Sequence, residues 1–224
     1  MAIGDAPALT LLGAVRSGDL DALSSLLAER PDLASVRISR RKGTLTALHL
    51  ATDWPGYFPN GPEVVGLLLA AGADPNVRTT GGPTPETPLH WATSSDDADV
   101  AEVLVAAGAD VEAPGGSIGS PLDNAVGYGC WHVARLLVAH GAVVTKLWHA
   151  AALGMLGRVQ ELCSDDPDAL TEAFWQACHG GQRRVAEYLL GRGADINGRP
   201  GYSDQSAAVW LAACQPDGNS WSPG

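Results

Sequence analysis

The stretch TPLHWATSSDDADVAEVLVAAGAD at 87–110 decides how this chain folds. Thr87 stands where a helix N-cap is wanted, and Pro88 follows at the first helical position, where a missing N–H costs nothing. SSDDAD at 94–99 reads as the capped start of a second helix, and Gly108 closes that helix with a left-handed backbone. The parts of this stretch recur. TALHLA stands at 46–51 and SPLDNA at 120–125, while AAGAD appears again at 70–74 and GRGAD at 191–195. Self-similarity at a period of about 33 residues marks stacked repeats, each unable to bury its apolar face alone. In such a stack, function is sought on an extended face and not in a ready-made cavity.

TALHLA, TPLHWA and AAGADPN (70–76) resemble the ankyrin repeat, with its TPLHLAA-like first helix and GADxN turn. The resemblance covers nearly the whole chain. It implies an all-α ankyrin-repeat solenoid of about six helix-turn-helix repeats plus a truncated seventh, with short β-turn fingers. On that register the units run from about Ala8 to Ser35, then Thr46–Val77, Thr87–Val111, Ser120–Val143, Thr145–Cys163 and about Leu170–Ile196. A seventh begins at Ser206 and lacks a second helix. This gives a single repeat domain over 1–214 and a Pro/Gly/Ser-rich tail over 215–224. The small residues Ala14, Ala51, Ala92, Ala125, Ala150 and Ala177 share one site and let helices approach closely. The leucine pairs Leu26/Leu27, Leu68/Leu69, Leu136/Leu137 and Leu189/Leu190 are expected to face the same core. His49 and His90 hold the TPLH position, where the imidazole braces adjacent turns.

Composition narrows the partners. A net charge of −11 repels phosphate backbones, which argues against nucleic acid. No apolar run approaches the roughly 20 residues that span a bilayer, so no membrane association is expected. The N-terminus lacks a basic-then-apolar leader pattern. Four scattered cysteines (Cys130, Cys163, Cys178, Cys214) suit a reducing compartment, and a cytoplasmic location is expected. Cys163 and Cys178 replace Leu and Ala and read as apolar filler. Twelve Arg against two Lys, with abundant Ala and Gly, point to a GC-rich genome and a stand-alone bacterial-type protein. No zinc spacing, phosphate loop or nucleophile elbow is present, and neither metal nor cofactor is expected.

Candidate functional residues lie where the repeat degrades. Seven Trp against two Phe is an unusual aromatic choice. Trp offers an apolar face, an N–H donor and a platform for cations. Trp91, Trp148 and Trp175 either fill the core between imperfect repeats or face a ligand; Trp54, beside the insertion PGYFP (55–59), leans outward. Tyr128 and His149 complete the partner-binding set. Asp53, Asp96, Asp97 and Asp123 form either an acidic strip or ordinary caps, with capping favoured for Asp97 and Asp99. Arg37, Arg40, Arg41 and Lys42 make the one basic patch, which is either a solvated loop or a dock for an acidic partner. Short connections GAVVTKL (141–147) and SDDPDALTEAF (164–174) leave no room for fingers there.

Two functions follow. One is a binding module that holds a protein partner on a concave, Trp-rich, acidic face, the role the resemblance implies. The other is a site for a small apolar or cationic ligand, extending to a cofactor-independent cyclase, isomerase or hydrolase with Asp53 and His179 as acid and base. An end-to-end homodimer through the truncated seventh repeat is also expected.

Overall fold

The computed structural model describes residue 2 and residues 4–200. Its helices come in pairs, one pair per expected repeat: α1 (Ala6–Ser17) with α2 (Leu20–Glu29), α3 (Ala47–Ala51) with α4 (Gly61–Ala70), and α5 (Pro88–Ala92) with α6 (Ala98–Ala106). Then come α7 (Pro121–Tyr128) with α8 (Trp131–Ala139), α9 (Leu147–Ala152) with α10 (Leu156–Leu162), and α11 (Pro167–His179) with α12 (Arg183–Gly191). The strands β1 (Ile38–Arg40) and β2 (Gly43–Leu45) form one antiparallel finger, with Arg40 opposite Gly43. Among the described residues the fold is therefore all-α apart from that finger.

Two compact units emerge, the first ending at Ala142 and the second beginning at Val143. In the first, α1, α3, α5 and α7 pack in succession as one layer, and α2, α4, α6 and α8 as another. In the second, α9 packs on α11 and α10 on α12. The alanine column makes this layering possible: Ala51, Ala92 and Ala125 in the first unit, and Ala150 and Ala177 in the second, are buried. A side chain no larger than a methyl lets helix axes come within about 8–10 Å.

The caps follow the sequence. Thr87 Oγ1 accepts from the His90 N–H, and the His90 ring accepts from the Thr87 N–H, a reciprocal box. Thr46 with His49 and Ser120 with Asp123 repeat it. Gly72, Gly108, Gly141 and Gly193 close the second helices at φ 95°, 90°, 96° and 100°. Asp97 caps α6, accepting from Val100 N at 3.2 Å.

Three expectations change. Only one leucine of each pair is fully in the core: Leu27, Leu68, Leu137 and Leu189 are buried, and their neighbours are half-exposed. Adjacent positions on a helix differ by about 100°, so a pair straddles the edge of the apolar stripe. The segment 167–174 is not a connection but the first half of α11. Asp166 caps it through Asp168 N at 3.1 Å, and Pro167 occupies the first turn, so nothing stops the helix until Gly180. Cys163 is half-exposed at the end of α10, whereas Cys178 is core. The seventh unit, the tail and the domain end at 214 lie outside the described residues.

Candidate functional site

The first finger does not stand alone. Thr44 and Thr80 exchange both backbone hydrogen bonds at 3.0 Å, and their hydroxyls meet at 2.7 Å. Thr80 belongs to a second finger, 79–86, tied by Thr79 N to the Glu86 carbonyl at 2.9 Å and by Glu86 N to Thr79 Oγ1 at 3.0 Å. Gly43 and Gly81 pass so closely that a Cβ on Gly43 would run into the Thr80 carbonyl. Arg78 fastens the third finger, 112–119, donating from Nη1 to the carbonyls of Pro85 at 2.8 Å and Pro114 at 2.6 Å.

Glu86 organises the face beneath these fingers. One carboxylate oxygen accepts from Trp91 Nε1 at 2.9 Å and the other from Ser117 N at 2.9 Å. The Trp91 indole is thereby fixed, and the Arg40 guanidinium lies 5.4 Å above its ring. Ser117 Oγ continues to the Tyr128 hydroxyl at 2.8 Å. Asn124 Oδ1 accepts from Ile118 N at 2.9 Å, which folds the third finger back on α7. Sequence reading passed over Glu86 and Asn124. Glu86 carried a signal, since it directly precedes the TPLH box and can reach back over it.

The insertion at 53–60 is braced on both sides. Asn60 Nδ2 donates to the Gly18 carbonyl at 2.9 Å, reaching the first repeat. Tyr57 N donates to Asp97 Oδ2 at 2.7 Å and Tyr57 Oη to the Asp96 carbonyl at 2.6 Å, reaching the third. Arg16 Nη2 pairs with Asp53 Oδ2 at 2.7 Å, and its guanidinium sits 5.0 Å over Phe58. Between these anchors Trp54 is 74% exposed.

The four candidate aspartates of this unit are used internally. Asp53 also accepts from Trp54 N at 3.0 Å. Asp96 accepts from Val133 N at 3.0 Å and pairs with His132 Nδ1 at 2.7 Å. Asp97 serves α6 and Tyr57, and Asp123 accepts from Ser120 N at 2.8 Å. Capping and bracing, rather than an open acidic strip, account for these contacts.

The candidate residues thus separate. Trp54 and Tyr128 (49% exposed) stand at the surface of the first unit, and Trp91 is half-buried there under Arg40. Trp148, His149, Trp175 and His179 belong to the second unit. Trp148 meets His149 edge-on at 4.0 Å between ring centroids, with His149 buried. Trp175 is core, 7% exposed, and its ring lies 4.9 Å from that of His179 one turn along α11. Burial pushes the His179 pKa down, so its ring is neutral at neutral pH. Asp53 and His179 fall in different units.

Among the described residues no group of three or more His, Cys, Asp or Glu could hold a metal ion, and no helix is long and apolar enough to cross a membrane. Burial raises the Cys130 thiol to about 11, which keeps it protonated and unreactive.

Comparison with known proteins agrees with this geometry. Residues 57–147 match the family model of ankyrin repeats in three copies. The chain is 35% identical over 121 residues to ankyrin repeat and SOCS box protein 16 of Mus musculus, covering 49% of this chain and 26% of that protein. It is 32% identical over 165 residues to an ankyrin repeat and KH domain-containing protein of Caenorhabditis briggsae, covering 68% of this chain and 6% of that one. Both relatives are eukaryotic, and the chain spans only about a quarter of the first and 6% of the second. Residues 57–147 are therefore ankyrin repeats, and repeats of this kind indicate a protein-interaction module.

Proposed function

We propose that this chain holds a protein partner through its first unit, with Trp54 on the braced insertion and Tyr128 at the end of α7 as the principal contacts. The observation that supports this most is the state of Trp54: a large aromatic left 74% exposed on a loop tied to Gly18 on one side and to Asp96 and Asp97 on the other. A rigid exposed Trp loses little conformational entropy on docking and buries a large apolar area, which is why such residues dominate binding energy. Tyr128 adds a hydroxyl already positioned by Ser117. The partner-facing surface of this reading is aromatic and hydrogen-bonding rather than acidic.

The catalytic alternative draws less support. Both Asp53 oxygens are occupied, one by Arg16 and one by Trp54 N, which suits a brace better than a proton carrier. Affinity capture with the wild-type chain against Trp54→Ala and Tyr128→Ala tests the proposal. Proteins retained by the wild type should be lost from both variants while thermal unfolding stays unchanged. Unchanged capture would sink it. So would thermal stabilisation by a small molecule that disappears in Asp53→Ala and in His179→Ala.

A further inference from the structure

The first finger concentrates positive charge in an acidic protein. Four of the chain's 14 Lys and Arg lie between 37 and 42, against a net charge of −11. They are not equivalent. Arg37 is spent on the scaffold, donating from Nη1 to the Arg78 carbonyl at 2.9 Å and to Thr44 Oγ1 at 3.3 Å. Arg41 and Lys42 form the turn between β1 and β2, exposed, and Arg40 lies over the Trp91 ring. Exposed cations on a mobile turn would be an ordinary solvated loop. These are carried on a finger whose backbone is tied to its neighbour by the Thr44–Thr80 bridge and the Gly43–Gly81 close pass, directly beside the turn. The base of the turn is therefore anchored to the next repeat.

We propose that the finger tip Arg40–Arg41–Lys42, with Trp91 beneath Arg40, receives an acidic segment of the protein partner. This rests on the binding-module reading and names the chemistry of a second contact. Two arguments favour a carboxylate-rich peptide over a polynucleotide. Screening confines electrostatics to about 10 Å at 0.1 M salt, so a short acidic segment meets the finger while a long polyanion also meets the negative remainder of the chain. Single strands need open aromatic platforms for base stacking. The Trp91 face is covered by Arg40 and its N–H is held by Glu86. A guanidinium already desolvated on one face by an indole is suited to bind a carboxylate edge-on.

The test is a titration of the isotopically labelled full chain with a hexaglutamate peptide at 50 mM salt, followed by amide and indole NMR shifts. Expected are shifts confined to residues 39–44, Thr80, Gly81 and the Trp91 indole N–H, weakening at least fivefold at 300 mM salt. The double variant Arg41→Glu/Lys42→Glu, at two exposed positions, should lose binding more than tenfold. Trp54→Ala should leave the titration unchanged, which separates this contact from the aromatic one. Absence of shifts at the finger, shifts spread elsewhere, or equal affinity for a hexathymidylate strand would each overturn the proposal. None of those results would alter the capture experiment with Trp54→Ala.

Discussion

His49 Nε2 donates to the backbone carbonyl of Glu86, 37 residues on, at 3.1 Å. A carbonyl only accepts, so Nε2 carries the proton and Nδ1 is left to accept from Thr46 N at 3.3 Å. His90 repeats the arrangement toward the Gly119 carbonyl at 3.2 Å. The column then changes chemistry. Asp123 keeps the local box, but a carboxylate has no proton to give a carbonyl, so the histidine type of brace ends with the third repeat.

Stability should fall in acid because of these rings. Burial lowers the His49 pKa to about 4 and moves His90 in the same direction. The unfolded chain, with His near 6.5, therefore binds more protons below that pH. Stability is full above about 6.5, declines as pH drops, and stops declining on this account below about 4. His49 alone amounts to roughly 3 kcal/mol across that window. Urea unfolding at pH 7.5 and 4.5 measures the slope, and His49→Gln should flatten it while lowering the neutral-pH value. An unchanged slope in His49→Gln would refute the assignment.

Two left-handed glycines should respond differently to alanine. Gly72 (φ 95°) has nothing within 4 Å of a new Cβ, so Gly72→Ala should cost only the backbone strain, about 1–2 kcal/mol. Gly43 (φ 101°) would also collide with the Thr80 carbonyl. Gly43→Ala should cost more than Gly72→Ala and release the finger, visible as faster amide exchange at Thr44 and Thr80. Equal costs and unaltered exchange would contradict the close pass.

Trp54 and Trp175 should separate cleanly on truncation. Trp54→Ala removes an exposed ring and should change stability by no more than about 0.5 kcal/mol. Trp175→Ala empties a core position and should cost about 3–5 kcal/mol. Chemical denaturation of the two variants decides it, and a large loss for Trp54→Ala would undo its proposed role as a free contact.

Asn76 joins neighbouring repeats through its amide. Nδ2 donates to the Gly108 carbonyl at 2.9 Å, and Oδ1 accepts from Asp110 N at 2.8 Å. The site is exposed, so Asn76→Ala should cost about 1 kcal/mol for the pair. Hydrogen exchange should quicken first at Asp110. Unchanged exchange there would mean that water replaces both bonds without loss.

The periodic positions were readable from the chain: Thr-Pro starts, Gly stops, the alanine column and the histidine braces all occupy the places their chemistry requires. The leucine pairs were read too generously, because the sequence marks both members apolar while the helix turns one of them away. The start of α11 was missed because SDDPD reads as a turn until Asp166 and Pro167 are seen as cap and first residue. At the candidate site, Trp54 was legible beside its insertion. Glu86 was not, because its role depends on Trp91 and Ser117, five and 31 residues away.

By itself the sequence determined the repeat, its helix pairs and their caps, since these rest on local propensity and on spacings within about 30 residues. The tertiary structure decided what each deviating side chain does. It set Asp53 against Arg16, buried Trp175, left Trp54 in solvent, and tied the base of a basic turn to its neighbour. Burial and pairing depend on which atoms the fold brings within a few ångströms, and no spacing along one repeat encodes that.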